Sequence, residues 1–246
     1  MNTTAHASYS FFIYVLILQV GWHVWPNSMM CFLSLLAGIA PDLDAAYHTI
    51  VKKGNINDPT FQHHLHYWTH WPSSYLPVVI AFAFSLIFDF YPQYFLIAVV
   101  GPVSHLFFDS ISCGDGMMWT AAWWKVKRGE FSKFTNFDAK KTDGYHGLYW
   151  SARYRQTKYF ILENIAAGCV ILFLVYLSLN GGLDVWHILS FISIGGVIFL
   201  GIKGVDAKYL QEPPQGRYAD YHTYAPYVDW YQKKYGSSPP KKYKGG

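Results

Sequence analysis

Charge is what this chain has least of. Only 14% of its 246 residues are Asp, Glu, Lys or Arg, against about 25% in soluble globular domains, so an ordinary soluble domain is excluded. Cysteine is nearly as scarce. Cys31, Cys113 and Cys169 are dispersed and form no Cys-x-x-Cys, which removes a disulfide framework and a zinc ribbon and leaves three apolar thiols. The stretch Met1–Trp25 lacks a basic leading region and a small-residue cleavage site, so a removable signal peptide is not expected. No internal repeat of solenoid period is present, and no recognised nucleic-acid-binding motif.

What the chain does have is apolar and aromatic surface: 52% hydrophobic residues, 20% aromatic and a positive mean hydropathy. Six apolar segments run roughly Ala7–Trp22, Ser28–Ala40, Ser73–Phe88, Gln93–Phe108, Tyr159–Leu179 and Val185–Ile202. They are separated by Pro26-Asn27, Pro41, Pro72, Pro92 and Asn180-Gly-Gly182. A full membrane crossing needs about 20 residues. The last two segments qualify, whereas the first four are short, the second especially. The expected fold is an all-α polytopic membrane protein of about six apolar helices. An N-terminal four-helix metal-binding bundle (1–124) is followed by a basic aromatic loop (125–158), a C-terminal transmembrane hairpin (159–203) and a basic, tyrosine-rich tail (204–246).

The net charge of +4 raises the question of nucleic acid, but the placement of the charges answers it differently. Of 19 Lys and Arg, nine lie between Lys125 and Lys158, eight from Lys203 onward, and the other two are Lys52 and Lys53. With each segment crossing once, all of them fall on one side, as the positive-inside rule requires. The expected topology is multi-pass in a bacterial inner membrane with both termini cytoplasmic. No nucleic-acid partner is expected; the bilayer itself is, and tyrosine with lysine in the tail suits its interface.

The same predicted side collects the chemistry. His105 and Asp109 sit four apart in an otherwise apolar run, so on a helix they share a face. An isolated carboxylate there would be costly, and ionisable groups within membrane segments point to function by default. Pro41-Asp42-Leu43-Asp44 follows the second segment and offers two carboxylates, although Asp44 could instead cap a short helix over Ala45–Val51. The stretch from Gln62 to His70 holds four histidines, and His66 and His70 share a face if it is helical. His6 stands just before the first segment. Mixed His/Asp donors fit Zn²⁺, Mn²⁺ or Fe²⁺, and the absence of a cysteine cluster favours a catalytic over a structural zinc site.

An early His, then Pro-Asp-x-Asp, then a His-rich stretch ending Thr-His, then His-x-x-x-Asp with following Ser, Gly and Trp form an ordered set. Here these are His6, Pro41 to Asp44, Thr69-His70 and His105 through Trp119. The set resembles the LexA-regulated inner-membrane family of metal-dependent hydrolases, distantly related to zinc-dependent phospholipase C. The family's histidine five residues before the Thr-His histidine is replaced here by Leu65, flanked by His64 and His66. Its usual following arginine has no counterpart. The resemblance covers roughly the first half of the chain and implies a helical metal site and phosphoester hydrolysis.

The residues then read as follows. Metal ligands are expected among His6, Asp42, Asp44, His64, His66, His70, His105 and Asp109, with Asp44 or Asp115 as general base. One or two divalent ions, zinc foremost, would activate water against a phosphoester or lipid-linked substrate. The competing expectation is a non-enzymatic metal-binding membrane protein or ion transporter.

Overall fold

The computed structural model describes residues 2–51, 67–112, 155 and 158–203. Every regular element among them is helical. α1 spans Thr3–Trp22, α2 Ser28–Ile39 and α3 Leu43–Ile50, the last two joined by a single 3-10 turn at Ala40–Asp42. Two further 3-10 turns, Trp68–His70 and Pro72–Tyr75, lead into α4 (Leu76–Ile87), followed by α5 (Pro92–Ser112), α6 (Lys158–Gly181) and α7 (Val185–Lys203).

Among the described residues, three helical stretches are long and apolar enough to cross a membrane, Thr3–Trp22, Ser28–Ile50 and Lys158–Gly181, whereas Pro72–Ile87 and Val185–Gly201, the latter expected to qualify, are shorter apolar helices. The first two are longer than the apolar segments that mark them in sequence. Pro41 does not end the second helix. It occupies the first turn of the Ala40–Asp42 element, where its missing N–H is not needed, and the helix continues to Ile50. The cap expected at Asp44 is likewise displaced, because α3 starts at Leu43 and Asp42 holds the N-cap position without a side-chain cap bond.

Helix ends follow local chemistry. Asn27 caps α2 by accepting from the Met30 N–H at 2.9 Å. Asp184 accepts from the His187 N–H at 2.9 Å, capping α7 after Gly182, whose φ of +84° suits glycine. α5 carries Pro102 in its interior. Two residues further on, the Ser104 hydroxyl donates to the Val100 carbonyl at 2.6 Å.

The core forms two connected regions. α1 packs on α5 through Tyr14, Leu18, Leu96, Ile97 and Val100. On its other side α1 shares Phe11 and Val15 with Leu35 of α2, Val170 and Leu174 of α6 and Ile194 of α7. The C-terminal pair therefore completes the core of the N-terminal bundle, so the 1–124 and 159–203 divisions are stretches of chain that meet in one interior. The divisions 125–158 and 204–246 lie outside the described residues, apart from Arg155 and Lys158.

Small residues set the closest approaches. A Cβ on Gly101 would lie 2.4 Å from the Ala37 Cβ, and one on Gly38 2.6 Å from the His6 carbonyl oxygen. The Ser10 and Ser104 hydroxyls meet at 2.6 Å. With no side chain at these glycines, α2 lies backbone-close to both α1 and α5, the packing expected of helices in hydrocarbon.

Candidate metal centre

Five ionisable side chains converge at one end of this three-helix contact. His6 projects from the first turns of α1, Asp42 from the turn that follows α2, His70 from the turn at Trp68–His70, and His105 and Asp109 from the last turns of α5. His6 thus lies inside its helix rather than before it. The Nε2 of His105 is 3.5 Å from Asp42 Oδ1 and 3.3 Å from Asp109 Oδ2. The Nε2 of His70 is 3.7 Å from Asp42 Oδ1 and 3.8 Å from Asp109 Oδ2. His6 Nε2 stands 3.0 Å from Asp109 Oδ1, and its ring stacks on that of His105 at 3.7 Å.

Two donor triplets result, His6 with Asp42 and His105, and His70 with His105 and Asp109; within each, one donor atom per residue lies within 4.8 Å of the others. Tyr67, before the turn that carries His70, is extended (φ −117°, ψ 126°). His64, His66 and Asp115 lie outside the described residues.

Ring orientation is set from behind. His105 Nδ1 is 2.8 Å from the Gly38 carbonyl oxygen. A carbonyl only accepts, so Nδ1 donates and Nε2 keeps its lone pair toward the cluster. His70 Nδ1 is 2.8 Å from Asp44 Oδ2, which likewise turns Nε2 inward. Asp44 therefore sits behind His70, and it belongs to neither donor triplet.

The surroundings are nearly dry. His70 and His105 are 0% exposed and Asp109 is 5% exposed, while the Asp42 side chain retains 20%. Three carboxylates and three imidazoles so placed need positive charge to compensate the acids. At His70, in the turn outside the apolar helices, burial alone would disfavour the imidazolium. The adjacent carboxylates of Asp42 and Asp44 outweigh it and push the pKa up to about 9.

The donor chemistry fits a divalent ion. His6 and His105 present buried ring nitrogens, including His105 Nε2, that make no hydrogen bond, and a mixed imidazole and carboxylate set suits a divalent transition ion. Buried His/Asp groups able to hold a metal are thus present.

Two participants, and one further buried acid, are absent from the set expected from sequence. Thr3 donates its hydroxyl to Asp42 Oδ2 at 3.0 Å, and Gly38 contributes only a backbone oxygen, which no motif marks. Glu163 is 0% exposed on α6; its signal was available, as an acid inside the apolar segment Tyr159–Leu179.

What fold and site define is a class: a protein helical in every regular element of its described residues, with membrane-length apolar helices and a buried His/Asp cluster able to hold a metal. Comparison with protein-family models, curated proteins and solved structures found no match. The family resemblance therefore stands on the motif residues alone.

Proposed function

We propose that this protein is a metal-dependent hydrolase embedded in the bacterial inner membrane, acting on a phosphoester or lipid-linked substrate at the cytoplasmic boundary. The observation that carries the reading is that His6, Asp42, His70, His105 and Asp109, from four separate stretches of chain, form two donor triplets that share His105. A structural zinc site closes with cysteines, whereas a catalytic one uses three histidine or carboxylate ligands and keeps a position open. His70, His105 and Asp109, all buried, are the proposed ligands, and Zn²⁺ is the proposed ion. Such an ion supplies a Lewis acid that activates water and polarises the scissile group.

The chain's own residues do the rest. His6, 3.0 Å from Asp109 Oδ1, orients that carboxylate. Thr3 holds Asp42 by Oδ2, leaving Oδ1 beside both inward ring nitrogens. Asp42 is the most exposed of the five, and its Oδ1 is placed to take the proton of an attacking water. This shifts the base from Asp44, which is engaged with His70, to its neighbour two residues earlier. The apolar walls exclude bulk water and strengthen each electrostatic contact.

In this reading the six apolar segments each cross once, with the site and both termini on the cytoplasmic side. The test is metal analysis of purified protein beside His105→Ala and Asp109→Ala, each assayed on a phosphodiester and a phospholipid panel. Wild-type protein should carry the ion and hydrolyse at least one substrate, and both variants should lose metal and turnover together. Metal content unchanged in both variants would refute the ligand assignment. Metal binding without hydrolysis of any member of the panel would favour the non-enzymatic metal-binding alternative.

A further inference from the structure

The two imidazoles shared by the proposed ligand set are held by different kinds of acceptor. Behind His105 stands a neutral backbone carbonyl, that of Gly38 at 2.8 Å. Behind His70 stands a carboxylate, Asp44 Oδ2, also at 2.8 Å. Asp44 is 3% exposed and its position is itself fixed. The Thr69 hydroxyl donates to the same Oδ2 at 3.2 Å, and the Thr69 carbonyl accepts from the Tyr75 hydroxyl at 2.6 Å. The Thr69-His70 dipeptide thus brings both the ring and a group that braces its acceptor. Asp42 and Asp44 are two residues apart, yet Asp42 Oδ1 faces the inward edge of the His70 ring at Nε2, and Asp44 the outward edge at Nδ1. The Pro-Asp-x-Asp segment grips one imidazole on both sides.

We propose that Asp44 is a positioning residue, not a metal ligand: it accepts the Nδ1 proton of His70, fixes the tautomer that turns Nε2 to the ion, and strengthens His70 as a donor. This inference rests on the metal-binding part of the reading above and assigns the second acid of the Pro-Asp-x-Asp segment a role different from the first. A carboxylate behind a ligating histidine is a general means of orienting the ring and raising its basicity, and removing one weakens metal binding by about 10–100-fold. The Gly38 carbonyl performs the same orienting task for His105 without the added charge, so His70 is the stronger donor of the pair.

The test is titration of the metal-free, full-length protein in detergent with Co²⁺ alone, by chelator competition and visible absorption. Wild type, Asp44→Asn, Asp44→Ala and His70→Ala are compared, with helical circular dichroism confirming the fold. Asp44→Asn matters most, because it is isosteric and keeps an acceptor for Nδ1 while removing the charge. The expected result is unchanged stoichiometry and unchanged Co²⁺ band positions in both Asp44 variants, with affinity about 10–100-fold weaker for alanine and intermediate for asparagine. His70→Ala should alter the bands, because a ligand is lost. Should Asp44→Asn alter the bands as His70→Ala does, Asp44 is a ligand and the proposal falls. Affinity within twofold of wild type in the alanine variant also overturns it. Wild-type protein that takes up no Co²⁺ instead sinks the metal reading itself, an outcome separate from either.

Discussion

Metal affinity should climb steeply with pH, and the slope follows from one residue. In the metal-free protein burial opposes charge on His70, but the adjacent carboxylates of Asp42 and Asp44 prevail and push its pKa up to about 9. With Nδ1 donating to Asp44, the extra proton sits on Nε2, the atom an ion must claim. Binding therefore expels a proton, and affinity gains about tenfold per pH unit while that proton is present. Between pH 7 and pH 9 the gain from this group is about 50-fold, or about 2.3 kcal/mol, and it levels off above about 9. The stability of the metal-free protein runs the opposite way. A histidine raised from 6.5 to about 9 contributes fully below pH 6.5 and loses its contribution as pH rises through 9, a change of about 3 kcal/mol. The assay is Co²⁺ competition against a chelator of known pH dependence from pH 6 to 10, beside thermal unfolding of the metal-free protein. His70→Ala should lower the affinity slope by about one. A flat affinity profile over pH 7 to 9, or metal-free protein that gains stability over the same interval, would refute the reasoning.

Two further outcomes test packing and topology. Gly101→Ala places a methyl 2.4 Å from the Ala37 Cβ and 2.5 Å from its carbonyl carbon. Backbone cannot yield as a side-chain tip can, so α5 must shift, at a cost of about 1–3 kcal/mol or more in thermal unfolding. Gly168→Ala meets nothing within 4 Å and should be neutral or gain up to about 1 kcal/mol from helix propensity; equal losses in the two variants would contradict the packing. A reporter fused at the C-terminus should be active on the cytoplasmic side, and activity on the outer side would overturn the proposed orientation.

The helices were legible because apolar runs separated by proline and glycine leave few alternatives in a chain this poor in charge. Their ends were less so. α1 reaches back to Thr3 although Asn2 makes no side-chain cap bond; its first turn is held from elsewhere, with the Thr4 hydroxyl donating to the Val197 carbonyl at 3.0 Å. No local signal encodes a contact from residue 4 to residue 197. Pro41 read as a break because proline usually is one, and only its place in a first helical turn makes it compatible with a helix running on to Ile50. At the site, residue types and spacing named His105, Asp109, His70, Asp42 and His6, because few explanations exist for so many imidazoles and acids in apolar surroundings. Which of two neighbouring aspartates faces which edge of a ring is a matter of a few ångströms, and spacing alone does not carry it.

The geometry of the cluster follows from the way its helices meet. Separate apolar helices carrying one or two donors each would not, at ordinary spacing, bring their side chains to a common point. At Gly38 and Gly101 the absence of a Cβ lets α2 come backbone-close to α1 and to α5. The same closeness lets the Gly38 carbonyl reach His105 Nδ1 and lets the His6 ring stack on that of His105. In a bilayer the hydrophobic driving force between helices would be weak, and small-residue contact with interhelical hydrogen bonds, such as Ser10 to Ser104, would hold them together. A cation bound by α5 and by the turns beyond α2 and before α4 would tie those segments further. Stability of the bundle and occupancy of the site are then linked through the same glycines, because the interaction that packs the helices is also the one that aims the donors.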